Sequence, residues 1–449
     1  RRSQEKQGKE TTHETQNEYY TFIDSLKACA KKKNLCEGTK LHADLLDNGL
    51  LEKCPYIASA LIHMYCKCGV LSEAQKVLEK LHFRDVVTWS ALISGYAQHG
   101  QGHIALDCFE KMQKEGIHPD EITFSCILKA CGITGALNKG EIIHEEIARR
   151  GFLEKNIVLG NALVDMYAKC GNLEKAQKVL EDLPFRDVIS WNSLISGYAQ
   201  HGQGYESLYF FEKMQRDGIA PNLVTFICIL QGCGSLRDVK YGIKIHEEIM
   251  SRGLLVKDIV LGTALVDMYA KCGMLDKAQG VFDLLQVRDV VCWTALITGY
   301  ALHGHGIEAL KLLRQMRKER VSPNVVTFIC ILKACSSIGS LGMGETIHAE
   351  VTKKGLLRKN IILGTALVDM YVKCGVLIKA QEVFHMLPRR DVVSWNVLLA
   401  GYTQHGLNEE ALEYFKEMQD EGISPSAVTF MCILRSCSSL GSLEVGEEI

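Results

Sequence analysis

Apolar residues recur at steps of three and four within residues 86–120, a spacing that places side chains on one face of an α-helix. The first helix of this stretch carries Trp89, Leu92, Ile93 and Tyr96. Gly100 follows at a position suited to end that helix in the left-handed conformation. A second helix of the same spacing is closed by Pro119, because proline cannot continue a helix. The pattern predicts two helices joined by a short turn.

The same helix pair returns at a fixed step of 102 residues. The markers of this period are Trp89, Trp191, Trp293 and Trp395, then Pro119, Pro221, Pro323 and Pro425, then His42, His144, His246 and His348. A long fixed period is typical of solenoids, in which each unit contacts its neighbours along one continuous core. No strand pattern of period two is found. We therefore predict an all-α fold, a right-handed superhelical α-solenoid of stacked helix-turn-helix repeats.

Each period divides into three helix pairs of 36, 31 and 35 residues, in that order. The 36-residue motifs are 19–54, 121–156, 223–258 and 325–360, with a partial one at 427–449. The 31-residue motifs are 55–85, 157–187, 259–289 and 361–391. The 35-residue motifs are 86–120, 188–222, 290–324 and 392–426.

The two ends of the chain fall outside this regular pattern. Residues 1–18 hold four basic and four acidic side chains without apolar periodicity, so we expect a disordered leader. It does not have the acid-poor composition of a transit peptide. The chain has no initiator Met and stops at Ile449, one residue before the recurring histidine position. Because a solenoid needs a polar capping end, we expect the natural protein to run further.

Composition limits the partners. The net charge of −2 argues modestly against bulk electrostatic binding of nucleic acid, although it leaves room for a basic stripe on one face. No run approaches the roughly 18 apolar residues of a membrane span.

Most of the eighteen cysteines follow the repeat, in two series. These series are Cys29, Cys131, Cys233, Cys335 and Cys437, and Cys68, Cys170, Cys272 and Cys374. We expect small buried hydrophobes in a reducing compartment, with disulfide or metal use as the alternative.

The rotation of the three motif lengths, with DVVTWSALISGYAQHG at 85–100 and LVDMYAKCGNLEKAQKV at 163–179, resembles the PLS-type pentatricopeptide repeat family of land plants. Its 36-, 31- and 35-residue motifs are named L, S and P. The resemblance covers about 430 of the 449 residues. It implies sequence-specific binding of single-stranded RNA in a mitochondrion or chloroplast, with one base read per repeat, and a role in selecting sites for cytidine-to-uridine editing.

The resemblance also implies which residues read the bases. The fifth and last residues of each S and P motif are polar and vary while their surroundings repeat. In the S motifs the pairs are Ser59/Asp85, Asn161/Asp187, Thr263/Asp289 and Thr365/Asp391. In the P motifs they are Ser90/Asp120, Asn192/Asn222, Thr294/Asn324 and Asn396/Ser426. In the family's code, Ser or Thr with Asp resembles a guanine reader, Thr with Asn adenine, Asn with Asp uracil, Asn with Ser cytosine, and Asn with Asn either pyrimidine.

The L motifs depart from this code. Their fifth residues are Ile23, Ser125, Ile227, Ile329 and Met431, and four of these five side chains cannot hydrogen-bond a base edge. We expect no firm reading there. With the protein N-terminus at the RNA 5′ end, as in the family, the predicted site is 5′-NGGNUYNGANGCN-3′. The L motifs resemble docking surfaces for organellar editing cofactors in this family, which is a further hypothesis.

Supporting contacts follow from the same resemblance. The second residue of each S and P motif is similar to an apolar clamp that sandwiches a base, with an ordinary core residue as the alternative. These residues are Tyr56, Val87, Val158, Ile189, Val260, Val291, Ile362 and Val393. One lysine per S motif is a candidate phosphate contact, with a solvated lysine as the alternative: Lys67, Lys169, Lys271 and Lys373. We expect the tryptophans to pack between helices rather than stack on bases.

Two rival functions remain open. Nucleobase deaminases combine His-x-Glu with Pro-Cys-x-x-Cys around zinc. The first element occurs at His144, His246 and His348, but no two cysteines are separated by two residues. We therefore expect no catalytic residues, no metal site and no cofactor, and any deaminase chemistry would belong to a further domain or a partner. The second rival is a protein-interaction scaffold without base reading, for which the coded pairs would have no use.

Overall fold

The computed structural model describes residues 19–51, 54–255 and 258–441. The expected leader, 1–18, lies outside the described residues, as does the end of the partial motif, 442–449. The chain forms two compact units that divide after Gly232. Every regular element among the described residues is helical, and this confirms the predicted all-α fold.

Helices follow one another in pairs along each unit. In the first unit they are α1 (19–32), α2 (Leu35–Asp47), α3 (Pro55–Lys67), α4 (Leu71–Lys80), α5 (Val86–Gln98), α6 (Gly102–Lys114), α7 (Glu121–Thr134), α8 (Leu137–Arg149), α9 (Ile157–Lys169), α10 (Leu173–Asp182), α11 (Val188–Gln200) and α12 (Gly204–Arg216). The division between the units falls within α13 (Leu223–Leu236).

The second unit continues with the same succession. Its helices are α14 (Val239–Ser251), α15 (Ile259–Lys271), α16 (Leu275–Leu284), α17 (Val290–Leu302), α18 (Gly306–Lys318), α19 (Val325–Ile338), α20 (Leu341–Lys353), α21 (Ile361–Lys373), α22 (Leu377–His385), α23 (Val392–Gln404), α24 (Asn408–Asp420) and α25 (Ala427–Leu440). None of the described helices is both long and apolar enough to cross a membrane.

Most of the first helices begin at a polar residue whose side chain caps the helix N-terminus. Asp85 accepts a hydrogen bond from the backbone N–H of Thr88 (2.9 Å), and the Thr88 hydroxyl accepts one from the backbone N–H of Asp85 (3.0 Å). Each bond satisfies an N–H group that the helix itself leaves unpaired, and such a cap contributes about 1 kcal/mol. At the other end Gly100 adopts the expected left-handed conformation, with φ of 74°. Local chemistry therefore sets both ends of α5.

The first helices of successive pairs form a layer in each unit. In the first unit α3, α5, α7, α9 and α11 contact one another in order, and in the second unit α15, α17, α19, α21, α23 and α25 do the same. Each second helix lies against its own partner and the next first helix, as α4 does against α3 and α5. The helices approach closely, because a Cβ at Gly95 on α5 would lie 2.2 Å from the Cys66 sulfur on α3. Each unit is thus an α-solenoid.

The tryptophans belong to the core, as expected. Trp89 is 4 % exposed, and Trp191, Trp293 and Trp395 are 0–1 % exposed. Trp293 packs edge-on against Phe282 of the preceding pair, with ring centroids 4.6 Å apart. The ring of each tryptophan therefore fills space between neighbouring pairs and is closed to a stacking base.

The two cysteine series have different environments. Members of the first series are buried as predicted, and burial raises the pKa of Cys131 to about 12. The second series is only half-buried, contrary to expectation. Its members, such as Cys170, occupy the C-cap of the first S-motif helix, where the chain turns towards solvent. All eighteen thiols are free.

Candidate nucleic-acid interface

A groove in the first unit brings the predicted site residues of successive motifs together. Its volume is about 960 Å³. The lining includes second residues of four motifs (Tyr20, Tyr56, Val87 and Ile122), fifth residues of three motifs (Ile23, Ser59 and Ser90) and ninth residues of the same three (Lys27, His63 and Ser94). Positions two, five and nine share a helix face because they are separated by three and four residues. The groove is the shared face of the first helices.

The second residues are exposed apolar side chains. In the S and P motifs their exposed fractions run from 40 % for Val87 to 67 % for Tyr56. The others are Val158, Ile189, Val260, Val291, Ile362 and Val393. The alternative of ordinary core residues is therefore wrong. Each solenoid unit instead carries a row of apolar side chains, one per motif, beside the fifth residues, and such a row has the chemistry to hold flat bases.

In the P motifs the fifth residue is hydrogen-bonded either to the last residue of its motif or to a neighbouring hydroxyl. The Asn192 amide donates to Asn222 Oδ1 (3.1 Å), and the Asn396 amide donates to Ser426 Oγ (2.9 Å). Ser90 and Thr294 reach their partners through a third hydroxyl, that of Thr123 (2.6 Å) and Thr327 (2.7 Å) respectively. That hydroxyl also bonds Asp120 and Asn324. Every predicted P-motif pair is thus joined, directly or through one side chain.

The S-motif pairs are joined less tightly, and two of them are in the first unit. The Asn161 amide donates to both carboxylate oxygens of Asp187, at 3.2 and 3.3 Å. Ser59 donates instead to its own helix, to the backbone oxygen of Tyr56 (3.2 Å), and remains half-exposed. Its predicted partner Asp85 is occupied as the cap of α5. Only the first of these two pairs is therefore closed by a direct bond.

In the second unit the predicted pair of Thr263 and Asp289 is not joined by a hydrogen bond among the described residues. Asp289 caps α17 and accepts from the backbone N–H groups of Val291 (3.0 Å) and Cys292 (2.9 Å). Thr263 hydrogen-bonds the Cys292 thiol, and this lowers the pKa of that thiol against the larger raising effect of burial. Asp289 and Thr263 therefore have different partners, the start of α17 and the Cys292 thiol respectively.

The remaining S-motif pair, Thr365 and Asp391, has the same arrangement at the last residue. Asp391 caps α23 by accepting from the backbone N–H of Ser394 (2.8 Å), and Thr365 is half-exposed. Helix capping thus engages the last residue of each S motif, whether or not the fifth residue also reaches it.

The hydroxyl that completes the P-motif network was not predicted from the sequence. It stands three residues after the last residue of each P motif: Thr123, Thr225, Thr327 and Thr429. Each last residue is also the N-cap of the next first helix, for which Asp120 is an example. The spacing of Asp, Asn or Ser three residues before Thr is a capping-box signal, which could have identified these threonines.

The L motifs offer a different surface. Their fifth residues Ile227 and Ile329 are half-buried, and Met431 is 63 % exposed. Ser125 is the one polar member, also half-buried. Apolar fifth residues cannot pair with a base edge, and the absence of a firm reading at these motifs stays a prediction.

Three of the four candidate phosphate lysines are held in ion pairs. Lys169, Lys271 and Lys373 lie 2.6, 2.7 and 2.9 Å from Asp165, Asp267 and Asp369, four residues earlier on the same helix. Lys67 has His63 at that earlier position and donates instead to Gln98 Oε1 (2.9 Å). The structure thus places a carboxylate beside most of these ammonium groups.

The His-x-Glu elements have structural partners. His144 Nδ1 and the Tyr167 hydroxyl are joined by a hydrogen bond of 3.0 Å, and His246 and His348 form equivalent bonds with Tyr269 and Tyr371 at 2.9 Å. Burial lowers the pKa of these histidines, which favours neutral imidazole. Among residues 19–51, 54–255 and 258–441, no three His, Cys, Asp or Glu side chains are grouped so as to hold a metal ion.

Comparison with known proteins identifies the repeats. The PPR repeat family matches residues 84–132, 186–235, 288–337 and 390–439, and a second description, the PPR repeat, matches 56–86, 161–188, 263–290 and 365–392. A chloroplastic pentatricopeptide repeat-containing protein of Arabidopsis thaliana is 36 % identical over 427 residues, covering 95 % of this chain and 52 % of the relative. Another chloroplastic relative from that plant is 34 % identical over 428 residues, covering 95 % of this chain and 68 % of the relative.

A mitochondrial relative from the same plant is 33 % identical over 428 residues, covering 95 % of this chain and 61 % of its own length. The chain spans about half the length of the first of these relatives.

Solved structures agree at the level of the fold. The pentatricopeptide repeat protein PPR10 in complex with an 18-nucleotide psaJ RNA element matches with a TM-score of 0.67 and 19 % identity, over 91 % of this chain and 61 % of that one. PPR10 from maize matches with a TM-score of 0.53 and 18 % identity, over 96 % and 72 %. The family matches extend over more than half of the sequence. This chain belongs to the pentatricopeptide repeat (PPR) family.

Proposed function

We propose that this chain binds single-stranded RNA and reads one base with each S and P motif. The observation that carries the proposal is the exposed apolar second residue beside each polar pair. An apolar side chain that is 40–67 % exposed contributes little to the core. A ligand that covers it would remove apolar surface from water, which favours binding. A base has two apolar faces and a polar edge, and an array of this kind can read one base per repeat.

The motif order belongs to the same proposal. The L, S and P boundaries given above place each polar pair at a motif's fifth and last residues, and the predicted site is 5′-NGGNUYNGANGCN-3′. The crystallised relative PPR10 was solved with a psaJ RNA element, a further reason to choose RNA over other polymers. Each good base contact should discriminate by roughly 1–3 kcal/mol, borrowing the figure for protein–DNA sites.

We infer further that the chain acts in a chloroplast or mitochondrion, as the names of its relatives suggest for those proteins. There it would select sites for cytidine-to-uridine editing. The deaminase would be supplied by a partner or another domain, and editing cofactors would dock on the L motifs.

Fluorescence anisotropy with three labelled oligonucleotides at one salt concentration tests the proposal. The first is the predicted 13-nucleotide RNA, the second exchanges its guanines for cytosines, and the third is the DNA version. We expect tight binding to the first alone, since the four guanine positions would each be mismatched in the second. Equal, weak and salt-sensitive binding to all three would overturn base reading and favour a protein-interaction scaffold, the alternative that an exposed apolar row also permits.

A further inference from the structure

The kind of side chain at position nine of each first helix depends on the motif class. This position lies four residues after the fifth residue, and in the first unit Lys27, His63 and Ser94 line the groove from it. The L motifs have Lys27, Lys129, Gln231, Lys333 and Arg435 there. The S motifs have His63 or an aspartate, and the P motifs have Ser94, Ser196, Thr298 and Ala400. The L motifs therefore supply the basic side chains of this row.

Three of the four S-motif lysines are neutralised by an aspartate on their own helix. Asp165, at position nine, binds Lys169 at 2.6 Å, so the two charges cancel. The stem of Lys169 is also confined, because a Cβ on Gly132 of the preceding L helix would lie 3.2 Å from its Cδ. Lys271 has the same environment, with Asp267 at 2.7 Å and Gly234 behind its stem. A phosphate would have to displace an intramolecular carboxylate to reach either ammonium group.

Three of the four L-motif cations have no such counterion. Lys129, Lys333 and Arg435 are exposed, and among the described residues no carboxylate lies within ion-pair distance of them. Lys27 is exposed and only 3.8 Å from the equally exposed Asp24, a weak surface pair. Lys129 follows Ser125 by one helical turn and Ile122 by two, and Ile122 is 65 % exposed. It therefore points out on the groove side of α7.

We propose that the L motifs hold the RNA backbone through Lys27, Lys129, Lys333 and Arg435, while the paired S-motif lysines do not contact phosphate. This assignment rests on the proposed RNA binding and gives the L motifs a function in it. Their fifth residues cannot read a base edge, and the cation one turn later offers a sequence-independent contact instead. One phosphate would be held about every third nucleotide. The third L motif, with Gln231, would leave a gap in the series.

The salt dependence of binding measures phosphate contacts directly. For single strands the logarithm of the binding constant falls with that of salt by about 0.7 per neutralised phosphate. We would measure anisotropy from about 50 to 300 mM salt with the predicted RNA and the full chain. The double variant Lys129→Gln, Lys333→Gln should lower the slope by about 1.4, with guanine preference retained. The matched control also removes two lysines but keeps the net charge: Asp165→Asn, Lys169→Gln, Asp369→Asn, Lys373→Gln. Its slope should equal that of the unmodified chain.

A gain-of-contact variant covers the case in which a loss reflects poor folding. Gln231→Lys should raise the slope by about 0.7 and tighten binding at low salt. The assignment is overturned if the charge-balanced control loses slope while the L-motif variant keeps it, or if Gln231→Lys leaves the slope unchanged. An unmodified chain that binds no RNA would instead refute the proposed function. The two failures are therefore distinguishable.

Discussion

Two neighbouring motifs of the first unit place the same residue, asparagine, at the fifth position and treat it differently. Asn161 in an S motif and Asn192 in a P motif are both 7 % exposed. Asn192 donates to Asn222, and its own oxygen accepts from the Thr225 hydroxyl (2.7 Å). Asn161 donates to Asp187, but no donor among the described residues reaches its oxygen. The P site is satisfied by the protein, whereas the S site keeps one buried acceptor open.

The neighbouring hydroxyl explains the difference. Ser190, the counterpart of Thr225, donates to the backbone oxygen of Asp187 (2.8 Å), within its own capping turn. An unpaired buried acceptor costs roughly 1–3 kcal/mol, which a ligand donor can recover. The N3–H of uracil is such a donor, and cytosine has none at that atom. Under the proposed base reading, the S site would distinguish uracil from cytosine, and the P site would accept either pyrimidine.

The largest expected effect on binding affinity comes from changing the RNA base at the fifth or sixth position of the site. These bases lie opposite Asn161 and Asn192 in the proposed reading. Exchanging uracil for cytosine at the fifth position should weaken binding by about 1–3 kcal/mol, because the open acceptor stays unpaired. The same exchange at the sixth position should leave affinity nearly unchanged. Competition anisotropy with the two singly exchanged RNAs measures both, and equal penalties would contradict the comparison.

A smaller effect is expected from converting the P site towards the S arrangement. Thr225→Val keeps the side-chain volume and removes the hydroxyl that serves Asn192, so the folded chain should lose about 1–2 kcal/mol in urea unfolding. Binding should then begin to prefer uracil at the sixth position. Ser190→Ala is the matched control, because it removes a cap hydroxyl that does not touch Asn161. It should cost about 1 kcal/mol without changing base preference.

The smallest effect is on the pH dependence of stability and involves a tyrosine on each of the two helices. Tyr167, on the S helix, bonds His144, whereas Tyr198, at the same position of the P helix, bonds Gln177 (3.3 Å). Burial lowers the pKa of His144, so the unfolded chain takes up a proton near its ordinary value of about 6.5 before the folded chain does. Stability is therefore complete above that pH and falls as pH drops towards the lowered pKa.

Melting temperatures at pH 7.5 and 5.5 measure this loss. His144→Gln should melt lower at pH 7.5 and lose less between the two pH values, since one titrating group is removed. The control is Gln177→Met, which removes the hydrogen-bond partner of Tyr198 without adding a charge. It should leave the pH dependence as it is. A variant at His144 that loses as much stability on acidification as the unmodified chain would show that this histidine does not carry the effect.

Much of the architecture and part of the site could be predicted from the sequence. Trp89, Gly100 and Pro119 indicate the helix pair and its ends, because capping and helical periodicity act over a few residues. The members of each polar pair were identified through the resemblance and do meet in the P motifs. The role of Thr225 was missed, because the hydroxyl that it donates to Asn192 comes from 33 residues further along the chain. The ion pair of Lys169 was also missed, although Asp165 four residues earlier on the same helix is a local signal for it.

The sequence by itself determined the all-α repeat, its period and the places where helices begin and end, since these depend on local hydrogen bonding and apolar spacing. Only the tertiary structure decided which equivalent side chains are available to a ligand. Val158 is exposed although it could have been a core residue, and Asn161 keeps an open oxygen although Asn192 does not. These differences depend on the surface that the neighbouring helix presents, and packing alone brings that surface into contact.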